Sequence, residues 1–375
     1  MAGIYIHIPF CRKACHYCDF HFSTSLARRG DMIASLIAEI RSRKVELQNQ
    51  LVETIYFGGG TPSVLDHKEL EWLLTTIYDN FQVSETAEVT LEANPDDCTQ
   101  ALLLTWKSLG VNRLSIGVQS FYQKDLEWMN RSHNNKQAKA ALEFAEKAGF
   151  KSINLDLIYG IPTMTHEDWL RNVETAFSLP INHISAYSLT VEEGTALHHF
   201  IKKQTYPPIK DSDAEEDYVI LQKAIKERGW QQYEISNYCK SDNYAKHNTN
   251  YWKKEPYIGI GPSAHSYGNG LRRWNIANNA KYMKAIKSGE QYFETEELTI
   301  LDQVNESIML GLRTKWGINV QEIEEISGLR FMDVNAIQLE ELKNRGLIYQ
   351  NNDTIALTEA GKLMADGISA SLFMV

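Results

Sequence analysis

Six short, β-rich apolar runs recur along the first half of the chain: Ile4–Ile8, Thr54–Phe57, Glu88–Glu92, Arg113–Val118, Ser152–Ile158 and His183–Leu189. Between them lie stretches with a helical period. Met32, Ile33, Leu36, Ile37 and Ile40 share one helical face, and Leu70, Leu73, Leu74 and Ile77 share another, opened by Asp66 and Glu69 in the spacing of a capping box. Ala138, Leu142 and Ala145 mark a third helix, ended by Gly149 where a left-handed cap fits. Thr165 and Asp168 open a fourth, carrying Leu170, Val173 and Phe177 before Pro180. Repeated β-then-α order predicts an α/β protein with a parallel sheet and right-handed crossovers. An open doubly wound sheet would gather ligand residues at its switch point. Here polar residues and glycines stand at the C-terminal ends of many strands: the cysteines, Gly58–Gly60, Glu92, Gln119 and Gly160. A barrel converges those ends on one site, so the pattern predicts a partial (β/α)6 barrel.

The 375 residues, 43% of them hydrophobic, suffice for one large domain and a smaller one. The barrel is expected over 1–230. The stretch 231–295 is richer in Asn, Tyr, Trp and Gly, and reads as strands and loops closing the open side. From Glu296 to Val375 the order is helix (Asp302–Arg313), helix opened by Asn319 and Glu322, helix (Val334–Arg345), a hairpin around Asn351–Asp353 and a last helix, which predicts a small winged-helix-like C-terminal domain. That domain carries thirteen acidic residues against six Lys and Arg, and the whole chain has a formal net charge of -10. Both argue against a nucleic-acid partner. No signal peptide and no apolar run long enough to cross a bilayer is read, so a cytoplasmic protein, monomer or homodimer, is expected.

In a reducing compartment, clustered cysteines point to metal or redox chemistry. Of five cysteines, Cys98 and Cys239 stand alone and are expected to be ordinary buried residues. Cys11, Cys15 and Cys18 crowd one short loop directly after the first strand. Three thiolates so spaced can grip three corners of a [4Fe–4S] cubane and leave the fourth iron open to a small molecule. A zinc site is the alternative: it wants four ligands, and with no second cysteine pair the fourth would come from His7, His16 or His21.

The C-x3-C-x2-C loop after a first strand resembles the signature of radical-SAM proteins. That resemblance implies S-adenosylmethionine (SAM) chelated to the open iron, with the protein supplying placement and shielding. Gly58-Gly59-Gly60-Thr61-Pro62 then resembles the segment whose backbone meets the methionine amino group. Glu92 closes the third strand. Asp156 sits in an otherwise apolar strand, where a buried carboxylate needs partners. Gln119 completes the set with Arg131, whose guanidinium suits a carboxylate. These positions, with Tyr5-Ile6-His7-Ile8-Pro9-Phe10-Cys11, Ala186 and the winged tail, resemble nearly end to end the oxygen-independent coproporphyrinogen oxidase-like branch of that superfamily. The resemblance implies SAM binding by Tyr5, Tyr17, Gly59, Gly60, Thr61, Glu92, Gln119, Arg131 and Asp156.

Two functions compete within the branch: oxidative decarboxylation of coproporphyrinogen, and delivery of haem to an acceptor haemoprotein. The oxidase carries a further cysteine two residues after the triplet, where this chain has Phe20. The oxidase also has a long extension before its motif, whereas here the motif begins at residue 11. His247-Asn248-Thr249-Asn250-Tyr251-Trp252 matches the H-N-x-x-Y-W segment of the haem chaperones. The expectation is therefore a haem chaperone, with His247 as an axial haem ligand and Tyr251 and Trp252 packing on the macrocycle. A radical-SAM enzyme acting on tRNA is disfavoured by the acidic charge and the lack of a basic patch interleaved with aromatic residues.

Overall fold

The computed structural model describes residues 1–374. Six parallel strands form its centre: β1 (Ala2–Ile8), β2 (Val52–Gly59), β3 (Val83–Ala93), β4 (Arg113–Gln119), β5 (Ser152–Tyr159) and β6 (His183–Ser188), side by side in chain order. Helices return the chain between them: α1 (Arg29–Ser42), α2 (His67–Asn80), α3 (Gln100–Ser108), α4 (Gln123–Trp128), α5 (Asn135–Lys147) and α6 (His166–Phe177). Asp66 and Thr165 form the capping boxes the spacing predicts, each accepting from the backbone N–H three residues on. This is the partial α/β barrel expected from the strand-end pattern.

Register explains why the strands alternate. Ile6, Phe57, Leu91, Leu114 and Ile153 lie in one row across five strands, all buried against the helices. On the opposite face the neighbouring rows are polar: Glu92–Ser115–Asn154–His183, and Gly117–Asp156–Ser185. Because successive side chains point to opposite faces, the apolar face builds the core under the helices. The polar face is left to line the barrel interior.

The same sheet continues on both sides. Beyond β6 lie β8 (Asn237–Lys240) and β7 (Trp230–Glu234), reached through α7 (Ala196–Lys202) and α8 (Asp211–Glu227). On the other side β9 (Tyr257–Ile260) pairs parallel with β1, followed by antiparallel β10 (His265–Gly268), β11 (Leu271–Asn275) and β12 (Phe293–Glu297). The segment read as strands and loops also holds α9 (Lys246–Trp252) and α10 (Asn279–Ser288). The His247–Trp252 hexapeptide is thus helical. Glu88 accepts from the first N–H groups of α9, those of Lys246 and His247, and so satisfies two donors that a helix start leaves free.

From α11 (Ile300–Leu312) onward a second core forms around Val304, Ile308, Leu312, Phe331, Leu342 and Ile355. It includes a three-stranded sheet in the order β13 (Ile318–Asn319), β15 (Thr354–Leu357), β14 (Ile348–Asn351), with helices Val320–Ser327 and Ala336–Asn344. This unit docks beside β7 through the Ile235 N–H to Arg313 carbonyl bond of 3.0 Å and the Lys362 to Gln232 bond of 2.9 Å. Among the described residues, no helix is long and apolar enough to cross a membrane.

Candidate functional site

The polar barrel interior opens into a cavity of about 800 Å³ at the C-terminal strand ends. All three clustered cysteines line it, together with Tyr5, Tyr17, Gly59, Gly60, Thr61, Glu92, Gln119, Arg131, Asp156 and His247. The structure therefore gathers the expected site residues on one cavity. Arg313 and Asp366, an ion pair of the C-terminal unit, also contribute to its wall.

The cysteine loop is closed at its base by the Cys11 N–H to Ser23 carbonyl bond (3.1 Å). It is tied sideways to the segment after α4: the His16 N–H bonds the Met129 carbonyl, and the Asn130 amide bonds the Ala14 carbonyl. Thr61 donates to Cys11 Sγ at 3.2 Å, and Arg131 Nη1 donates to Cys15 Sγ at 3.2 Å and to the Tyr17 hydroxyl at 3.3 Å. Burial pushes the Cys18 thiol up to about 12 and also raises Cys11, which the Thr61 bond partly offsets. Thiols so placed ionise readily only when a cation lies against them. Of the imidazoles a zinc site could recruit, each has one ring nitrogen bonded within the protein: His7 Nε2 to the His21 carbonyl, His16 Nδ1 to the Trp128 carbonyl, His21 Nε2 to Asn279. Among the described residues no three His, Cys, Asp or Glu side chains converge as one ion requires.

The glycine segment is held by close packing. Gly59 has φ +103°, and a Cβ there would stand 2.4 Å from the His7 ring. A Cβ on Gly60 would meet the Ile8 and Phe10 carbonyls at 2.7 Å. Gln119, at the end of β4, takes φ +68° where the β4–β5 register slips, a backbone strain placed at the cavity wall.

Two carboxylates face the same space. Glu92 accepts from the Tyr56 hydroxyl at 2.7 Å, and burial, with the Asp156 charge adding, lifts its carboxyl to about 7. Asp156 accepts from Asn154 at 2.6 Å and from Ser115, and burial lifts it to about 6. Neither has an ion-pair partner among the described residues. Arg131 donates to Asn94 at 2.8 Å and to the Gly117 carbonyl at 2.7 Å, while its buried Nε has no acceptor. A cavity lined by two desolvated carboxyls, the Gln119 amide and the Arg131 guanidinium fits an amino-acid ligand bearing both charges.

His247 lies deeper, 2% exposed. Thr54 shares a 2.8 Å hydrogen bond with its Nδ1, and the Tyr251 hydroxyl one of 2.8 Å with its Nε2. Its ring stacks on Tyr56, and burial lowers its pKa to about 3, so it is neutral. Both nitrogens are engaged; an iron would reach Nε2 only after Tyr251 releases it. Tyr251 packs edge-on against His247 and Tyr257.

Several cavity residues are absent from the sequence reading: Tyr56, Asn94, Ser115, Asn154, His183 and Tyr187. Apart from Asn94, just past the end of β3, they are positions alternating with apolar ones inside the expected strands. Tyr187, 46% exposed, presents an aromatic ring to the cavity.

Residues 5–176 match the model of the radical SAM superfamily, and residues 298–364 that of the HemN C-terminal domain. The chain is similar to the protein called "Heme chaperone HemW" in Bacillus subtilis (strain 168), at 35% identity over 98% of both chains. It is also similar to the proteins of that name in Lactococcus lactis (36%, over 95% of this chain and 93% of the relative) and Escherichia coli K12 (33%, 98% and 96%). Among solved structures it resembles coproporphyrinogen III oxidase (HemN) from Escherichia coli, with a TM-score of 0.84 at 24% identity, over all of this chain and 90% of that one. That likeness shows the shared fold.

Proposed function

This chain belongs to the HemW family of radical SAM proteins, and from that premise we propose that it is a cytoplasmic haem chaperone that binds haem and hands it to an acceptor haemoprotein. The observation that carries the reading is the full-length likeness to relatives of that name. It is supported by Phe20, 68% exposed at the cavity edge, where the oxidase branch carries a further cysteine.

Cys11, Cys15 and Cys18 would hold three corners of a [4Fe–4S] cluster, with Thr61 and Arg131 donating to two of the sulfurs. Gly59, Gly60, Thr61, Glu92, Gln119, Arg131 and Asp156 would orient SAM, with Tyr5 and Tyr17 bordering it. When bound, the pair supplies one-electron chemistry. The chain's own residues do the rest. The Arg131 guanidinium at the cavity wall offers its charge to a ligand carboxylate, the Glu92 and Asp156 carboxyls accept from its amine and hydroxyl groups, and the apolar strand face keeps the helices sealed behind the site. His247 would serve the haem iron as an axial ligand on giving up its bond to Tyr251.

Anaerobically reconstituted protein titrated with haem tests the reading. A Soret band saturating at about one haem per chain is expected, one axial site being identified, with transfer of that haem to an apo-haemoprotein and no conversion of coproporphyrinogen. Decarboxylation of coproporphyrinogen in the presence of SAM and reductant, without stable haem uptake, would restore the oxidase.

A further inference from the structure

The H-N-x-x-Y-W segment and the SAM cavity are one packed unit. The His247 ring lies 5.1 Å from that of Tyr56, the two planes 21° apart. Tyr5 stacks on both, at 6.1 Å from Tyr56 and 6.5 Å from His247. The Tyr56 hydroxyl then donates to Glu92 at 2.7 Å. Two glycines make room for this assembly. A Cβ on Gly3 would stand 2.9 Å from Thr54 Oγ1 and 3.2 Å from the His247 ring; one on Gly58 would stand 2.8 Å from the Tyr56 ring, 3.0 Å from Glu92 Oε1 and 3.0 Å from Tyr5. The barrel's inner wall over β1 and β2 is thus shaped around the imidazole at one level and around the Tyr5–Tyr56–Glu92 corner at the next.

His247 is itself fixed from two sides. Thr54 holds Nδ1 from the strand that carries Tyr56, and Tyr251 holds Nε2 from the next turn of α9. The backbone that presents it is anchored by Glu88, on the same strand as Glu92. Both nitrogens bonded and a flat neighbour at stacking distance hold the imidazole in one orientation against Tyr56.

We propose that His247 is a positioning residue for the SAM site: stacked on Tyr56, it fixes the hydroxyl that orients the Glu92 carboxylate. The inference rests on Glu92 being a SAM ligand, as proposed above. It has a regulatory consequence. Anything that draws His247 away from Tyr56, a haem iron included, loosens Glu92 and lowers the affinity for SAM. By linkage, SAM then weakens that same ligand's hold on His247.

The test is calorimetric titration of SAM into anaerobically reconstituted protein without haem, with iron content verifying each variant. His247→Ala should weaken SAM binding about 3- to 10-fold, the scale of a lost aromatic pair. His247→Phe restores a flat ring and should bind within about twofold of wild type. In the Tyr56→Phe background, which lacks the hydroxyl, His247→Ala should have no further effect. Wild-type affinity in His247→Ala overturns the proposal. So does an equal loss in the Tyr56→Phe background, or a loss in His247→Phe as large as in His247→Ala. Should His247→Ala fail to take up iron, His247→Leu, which fills the space without a flat ring, is measured in its place, and wild-type SAM affinity there overturns the proposal. Glu92→Ala separates the two readings: unchanged SAM affinity there refutes the assignment of Glu92, whereas its loss beside an unaffected His247→Ala refutes only the positioning role.

Discussion

Replacing Glu92 by Gln should stabilise the cofactor-free protein, and only at the higher end of the pH range. Burial lifts the Glu92 carboxyl from 4.5 to about 7, with the Asp156 charge adding to the effect and the Tyr56 and Gly59 bonds opposing it. A buried acid of raised pKa favours the folded state while it is protonated. That contribution is full below 4.5 and is lost as pH rises through about 7. The gap, at about 1.4 kcal/mol per pH unit, corresponds to about 3 kcal/mol. One side of the carboxyl faces the open cavity, and solvent screening there reduces the figure to about 2 kcal/mol. Gln is neutral throughout and its carbonyl still accepts from Tyr56, so the variant should match wild type within about 0.5 kcal/mol at about pH 5 and exceed it by about 2 kcal/mol at about pH 8. The assay is equilibrium urea unfolding of the metal-free chain under reducing conditions at both pH values, paired with SAM calorimetry on the reconstituted protein, where the variant should bind poorly. A stability difference that is the same at both pH values would refute the reasoning, because Glu92 would then not titrate between them. The result would place this carboxyl among groups kept for ligand binding at a cost to the fold.

Three other outcomes follow from the geometry. Gly59→Ala forces a Cβ toward the His7 ring at a φ of +103° and should destabilise the barrel by about 3 kcal/mol or more, read as a lower unfolding midpoint. Replacing Cys11, Cys15 or Cys18 by Ala should abolish the expected uptake of about four irons per chain on reconstitution, whereas Cys98→Ala, buried away from the cavity, should leave iron content unchanged. Thr61→Val removes the 3.2 Å hydrogen bond to Cys11 Sγ, so the cluster's midpoint potential in redox titration should move more negative with iron content preserved.

The β-then-α alternation was sufficient for the barrel because it is local: each apolar run needs a helix to cover it, and the chain can cover parallel strands in few ways. The cysteine spacing, Gly58–Gly60 and the strand-end positions of Glu92 and Gln119 were legible for the same reason, since motif and strand end are read from neighbours along the chain. Tertiary structure alone decided what those runs do on their second face. Arg113, Ser115, Asn154 and His183 lie unremarked within runs read as apolar, and only the register across β3 to β6 aligns Glu92–Ser115–Asn154–His183 into a polar inner row. The hexapeptide at His247 shows the same limit. Its sequence offers a histidine and two aromatic residues. That it is a helix capped by Glu88 from 159 residues away, with the imidazole held by Thr54 from 193 residues away, depends on contacts that no local pattern encodes. The sequence and the resemblance it carries nominated residues that the structure gathers on one cavity. Which nitrogens are engaged, which acid is desolvated and which ring stacks on which were settled by long-range packing, where burial and pairing set the energies.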